Sequence, residues 1–231
     1  MFLLSVAAAL ATLPSTAGSQ SLALSGEPPA PYGSTTFVRP DLTYVSPTEN
    51  AKLRNYAFDA FGPFPIAGAA LAAGINQMSN APPEWGQGAA GYGRRFGSDF
   101  GIAVVGTTTR YGLAEALKED TLYYRCQCGG FFPRLRHALV SSVTGRRGMD
   151  GHLVFSVPAV VAPYAGTMTA VMAWYPDRFS AKDGFRMGNY ALLAYAGENI
   201  GLEFFYRGPR SLFARMHLTN RHGATDPGPI Q

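Results

Sequence analysis

The feature that most constrains this chain is the recurrence of small residues at helical spacing. Gly93, Gly97 and Gly101 follow one another at four-residue intervals, and so do Ala162, Gly166 and Ala170. An α-helix turns once in about 3.6 residues, so each set lies along one side of a helix. Ala165/Thr169/Ala173, Ala69/Ala73, Ala70/Gly74, Gly184/Gly188 and Gly197/Gly201 repeat the theme. A glycine inside a helix costs roughly 1 kcal/mol relative to alanine. So many of them need a compensation, and close approach of helix backbones supplies one, as in the small-xxx-small contacts frequent in membranes. The expected fold is all-α: a bundle of about five Gly/Ala-rich helices behind an extended Pro-rich N-terminal arm. Gly93, Gly97, Gly101, Ala162, Gly166, Ala170, Gly197 and Gly201 are the expected helix-packing residues.

The chain divides by composition. Residues 1–17 form a short apolar run broken by Pro14, with Ser15 and Ala17 suited to cleavage after Ala17. They read as a signal peptide, although no Lys or Arg precedes the run; the alternative is an uncleaved anchor. Residues 18–48 are rich in Pro, Ser, Gly and Thr, and Pro28-Pro29-Ala30-Pro31 excludes a helix there. Residues 49–218 form the helical domain and 219–231 a flexible tail. Within the domain, helical patterning covers 50–61, 66–78, 92–117, 133–143, 153–176 and 184–205, with a last short helix at 207–218. Residues 145–151 read as a basic turn, and no alternating strand set stands out.

The balance of residue types bears on location. Hydrophobic residues make up 47 % of the chain and charged residues 15 %, against about 25 % charged in average soluble domains. Disorder of the whole chain is not expected from this balance. The stretches 153–176 and 60–83 contain no charged residue, and the first ends in Trp174-Tyr175-Pro176, aromatics of the kind that mark a bilayer edge. Asp99, Arg110, Glu115, Glu198 and Glu203 would be costly facing lipid, which keeps a soluble bundle open. The net charge of +4 comes without a basic stripe, helix-turn-helix or zinc-finger pattern, so nucleic acid is not an expected partner. The expected location is the cell envelope of an exporting bacterial-type cell.

Few residues point to chemistry. Pro82-Pro83-Glu84-Trp85-Gly86-Gln87-Gly88 is a stiff turn presenting a carboxylate, an indole and an amide, so Glu84, Trp85 and Gln87 are the candidate ligand-binding residues. A pocket joining Glu84 and Trp85 to Glu198 is the site an enzyme or small-ligand binder would use. The other reading is a plain helix-connecting loop. Cys126 and Cys128, separated by Gln127, are the redox or disulfide candidates; they can pair with each other, pair between chains or stay reduced. His137, His152, His217 and His222 lack zinc spacing, and no metal site or cofactor is expected. Arg125, Arg134, Arg136, Arg146 and Arg147 form a basic cluster, either a contact for anionic headgroups or a solvated face.

The PPEWGQG string, Glu119-Asp120 through Tyr123-Tyr124-Arg125, and Trp174-Tyr175-Pro176 together resemble a family of exported bacterial proteins of no assigned activity, over about residues 50–205. The resemblance implies no catalytic residue or cofactor. The expected function is a structural, scaffold or assembly role, embedded in or associated with a membrane, with lipid or another envelope protein as partner and self-association as a further possibility. The alternative is an exported enzyme or small-ligand-binding protein.

Overall fold

The computed structural model describes residues 44–205 and the backbone of 224–225. The expected signal peptide, most of the Pro-rich arm, the short helix at 207–218 and most of the tail lie outside the described residues.

The helix boundaries follow local chemistry. Helix α1 (Glu49–Phe61) starts at Thr48, whose Oγ1 accepts the Ala51 amide at 3.3 Å, with Glu49 in the first turn. It ends at Gly62, where a Cβ would stand 2.2 Å from the Phe58 carbonyl oxygen. Pro63 then opens α2 (Pro63–Met78), at a position where its missing N–H breaks no hydrogen bond. A single 3-10 turn, Pro83–Trp85, leads into α3 (Gly88–Leu117), 30 residues and so about 45 Å long. Lys118, in the left-handed conformation, ends α3. Helix α4 (Phe131–Val140) follows a loop containing the cysteines. Helix α5 (Val157–Ala173) is capped by Ser156, and α6 (Ala181–Phe204) by a reciprocal Ser180–Asp183 capping box. Since only Gly62 separates α1 from α2, the six helices among the described residues form five rods, and the protein is mostly α-helical.

Helix α3 is the hub: it packs on α2 and α5, and α5 packs on α6. Glycine makes these crossings possible. A Cβ on Gly166 would lie 2.5 Å from the Ile102 carbonyl oxygen, and one on Gly106 3.2 Å from that of Ala162. Between α5 and α6, a Cβ on Gly184 would meet Met168 Sδ at 2.5 Å, and one on Gly188 the Tyr164 ring at 2.3 Å. Ala162 and Ala170 are buried, and Gly101 faces the Trp174 indole at 3.4 Å. The other expected packing glycines are corrected by the structure: a Cβ on Gly93, Gly97, Gly197 or Gly201 would meet nothing within 4 Å. On the first half of α3 the buried stripe is Gly91, Arg95 and Ser98, rotated away from Gly93 and Gly97 because it closes over the loop after α2. On α6 the buried stripe is Gly184, Gly188, Asn199 and Glu203.

A small sheet is the second correction. Strands β1 (Glu119–Asp120), β3 (Thr144–Arg147) and β4 (His152–Phe155) form an antiparallel sheet in the order β1-β3-β4, pairing Glu119 with Arg147 and Thr144 with Phe155. The expected basic turn is therefore a strand and the head of a hairpin, and residues 153–155 are strand instead of helix. Four-residue strands give too little alternation to read, and Leu153-Val154-Phe155 runs unbroken into the apolar helix after it. Strand β2 (Tyr124–Arg125) pairs in parallel with β5 (Ala224–Thr225), within the expected tail.

Polarity is arranged inside out. Among the described residues, the largest fully buried side chains are Arg95, Glu203, Asn55, Asn199 and Pro158, and apart from prolines and glycines the buried apolar residues are alanines and Tyr123. Large apolar side chains point outward: Leu71 is 69 % exposed, Met172 75 % and Leu193 68 %. Soluble domains do bury most of their large aliphatics.

Candidate functional site

The PPEWGQG turn is organised by Arg95, which is wholly buried. Its Nε donates to the Ala81 carbonyl at 2.9 Å, Nη1 to Gln77 Oε1 at 2.6 Å and to the Gly86 carbonyl at 2.7 Å, and Nη2 to the Pro82 carbonyl at 2.9 Å and Asn80 Oδ1 at 3.3 Å. The guanidinium fork serves five acceptors at once, and it holds the turn against α3. Of the candidate ligand-binding residues, Glu84 pairs with Arg178 through Nε, and the guanidinium holds its carboxyl below the usual carboxylate range. Trp85 packs edge-on against Tyr175 with ring centroids 5.0 Å apart. Gln87 Nε2 donates to the Gln77 carbonyl at 3.1 Å. Each has a structural partner, and sequence reasoning missed Arg95, the residue that gathers the turn. The available signal was a lone arginine four residues after Gly91 on an otherwise small-residue stripe.

The large cavity lies elsewhere. A cleft of about 1170 Å³ runs between the α1–α2 rod and α6 over a floor of α3 and α5. Apolar residues such as Phe64, Ile102, Ala162 and Leu202 form most of its wall. Glu198 lines it, whereas Glu84 and Trp85 do not, so the expected three-residue pocket is not assembled. One end is polar: Tyr111 donates to Asp59 Oδ2 at 2.6 Å, and the Arg110 guanidinium sits 4.5 Å over the Tyr195 ring and donates to the Thr121 carbonyl at 2.8 Å. Asp59 and Glu198 both lie within electrostatic reach of Arg110. The cleft is larger than a typical drug-sized pocket of about 300–1,000 Å³. Asp99, which accepts from Asn76 Nδ2 at 3.3 Å, also lines the cleft, about 16 Å along α3 from Arg110, so the trough is apolar between polar groups and suits a long amphipathic molecule.

The cysteines form a third locality. Cys126 and Cys128 are joined by a disulfide. Beside it, the buried Glu203 carboxylate accepts the Tyr123 hydroxyl at 2.8 Å, the Cys126 amide at 3.0 Å and Arg134 Nε at 2.7 Å. Burial and the Glu203 carboxylate push the Tyr123 hydroxyl well above the usual phenol range. The basic cluster is largely turned inward: Arg134 pairs with Glu203, Arg147 with Glu119, and Arg146 Nη1 donates to the Gly151 carbonyl at 2.7 Å. Ser141 Oγ lies 3.5 Å from His137 Nε2, but that nitrogen is 2.8 Å from the Tyr124 carbonyl oxygen. A carbonyl only accepts, so Nε2 carries the hydrogen and does not serve as a base for Ser141. Among the described residues, no group of three or more His, Cys, Asp or Glu side chains is placed to hold a metal ion.

No family model, curated protein or solved structure matches this chain.

Proposed function

We propose that this is an exported cell-envelope protein embedded in a membrane through its helical bundle, with a structural or assembly role. The observation that carries the reading is the inverted polarity. A lipid-facing surface gains nothing from charge, and helix association in lipid rests on small residues and interior polar contacts. The α1–α2 rod, Glu49–Met78, is long and apolar enough to cross a bilayer, and only 17 % of its most apolar window is buried. A soluble protein's core helix of that hydropathy would be mostly covered. Helix α5 is shorter but equally apolar in character, and its outer face carries Val157, Val161 and Met172. Carbonate or high-salt washing of membranes from cells expressing the full chain tests the reading. The protein stays in the pellet until detergent is added; recovery in the soluble fraction without detergent would contradict it.

The cleft favours a second role within the same setting, binding of an amphipathic small molecule whose apolar body fills the trough and whose polar end meets the Asp59–Arg110–Glu198 cluster. A fluorescent fatty acid titrated into the detergent-solubilised protein is the probe. Ala194→Trp, which places bulk in the cleft wall, is expected to weaken its binding at least about tenfold, a loss of about 1.4 kcal/mol; equal affinity for both proteins would remove this role.

A further inference from the structure

We propose that the Cys126–Cys128 disulfide is a thiol–disulfide exchange centre that oxidises an exposed dithiol on a partner. This goes beyond the membrane reading and does not depend on it.

Three features of the locality carry the inference. First, the bond is a poor staple. Its cysteines are two residues apart, and only adjacent cysteines close a smaller ring. The conformational freedom such a ring removes from the unfolded chain is close to the least a disulfide can remove. The fold here is already held by other groups: Glu203 grips the Cys126 amide at 3.0 Å and Arg134 at 2.7 Å. The bond can therefore open and close in the folded protein. Second, the two sulfurs are not equivalent. The Cys128 amide donates to Cys126 Sγ at 3.2 Å, a contact that strengthens when that sulfur becomes a thiolate. Cys126 is thus the better leaving group. Third, Cys128 is half-buried within an exposed segment. It is followed by Gly129 and Gly130, both exposed, and a Cβ on Gly129 would meet nothing within 4 Å. Gln127, between the cysteines, is also exposed.

The exchange proceeds in two displacements. A partner thiolate attacks Cys128 Sγ, the Cys126–Cys128 bond breaks, and Cys126 leaves as a thiolate that takes up a proton. The partner's second thiolate then attacks its own sulfur in the mixed disulfide, forming the partner's disulfide and releasing Cys128 as a thiolate that is protonated in turn. Two electrons and two protons pass from the dithiol to the cysteine pair. Reoxidation by a disulfide of higher potential reverses the steps.

The test uses the detergent-solubilised full chain, oxidised and free of small thiols, in a series of reduced-to-oxidised glutathione ratios under nitrogen. Thiols are trapped with a maleimide that shifts the band on a gel, and helicity is followed by circular dichroism. Both cysteines are expected to become reactive at ratios where ordinary structural disulfides stay oxidised, with helicity unchanged. A pair that opens only on unfolding, or one already reduced in protein isolated from an oxidising compartment, would overturn the proposal. The roles are read from the oxidised wild type. After a brief exposure to reduced glutathione and a maleimide quench, mass spectrometry of the peptide is expected to find glutathione on Cys128 at least about tenfold more often than on Cys126, because the sulfur that is attacked carries the adduct and the one that leaves carries the maleimide. Equal amounts on the two cysteines would overturn the assignment of Cys128 as the attacked sulfur.

Discussion

Two glycines with the same spacing signature behave oppositely, and the difference lies in what stands opposite each. Gly166 faces the Ile102 carbonyl, so a methyl group there forces α3 and α5 apart. Gly97 faces open space, so a methyl group there adds only helix propensity. We expect Gly97→Ala to raise stability by up to about 1 kcal/mol, and Gly166→Ala to lower it by about 1–3 kcal/mol through overpacking. Thermal unfolding of the two variants in one detergent checks both signs. Glu84 offers a pH-dependent counterpart. Its carboxyl is held below its ordinary value by Arg178, so the unfolded state takes up the proton first as the pH falls. The pair's contribution is present above the unfolded carboxylate pKa of about 4.5 and is lost as the pH drops through the folded value. Melting temperatures measured from pH 7 to pH 3 should fall further for the wild type than for Glu84→Gln; parallel curves would show that the pair contributes nothing.

Among the elements, the helices were legible and their contacts only partly so. Thr48-Glu49 and Gly62-Pro63 are start and stop signals that the sequence shows, whereas the Ser180–Asp183 capping box starts α6 at Ala181, ahead of the expected 184. Spacing alone identified Ala162, Gly166 and Ala170 as one stripe, but the same spacing selected Gly93 and Gly97. A period fixes that residues share a face, and only the neighbour decides whether the face is covered. The β3–β4 hairpin was hidden because β3 carries two arginines, β4 runs into an apolar helix, and each strand spans only four residues. The site was the least legible part, since Arg95 binds carbonyls of a loop between two helices and that geometry leaves no periodic trace. Arg95→Lys keeps the charge but not the fork, so several carbonyls lose their donor. We expect a loss of more than about 3 kcal/mol, since hydrogen bonds to charged groups contribute about 1.5–3 kcal/mol each. A melting temperature within a degree of the wild type would show that the turn is held by its prolines instead.

At the scale of the whole molecule, three properties fit the proposed membrane setting. Many large apolar side chains are exposed, the interior holds small and polar side chains, and α3, α5 and α6 cross at glycines. In water this arrangement forgoes burial of large side chains, each contributing about 1.5–3 kcal/mol. In a bilayer the same side chains are solvated by lipid, while Arg95, Glu203 and Asn199 find their partners inside. The most direct measurement places a nitroxide at Leu71, Met172 or Leu193 in bilayer-reconstituted protein and compares collisions with oxygen and with a water-soluble nickel complex. Oxygen collisions should dominate at all three sites, while a nitroxide at the exposed hairpin residue Met149 should favour nickel. Ready access of the nickel complex to Leu71, Met172 and Leu193 would contradict the membrane-embedded account.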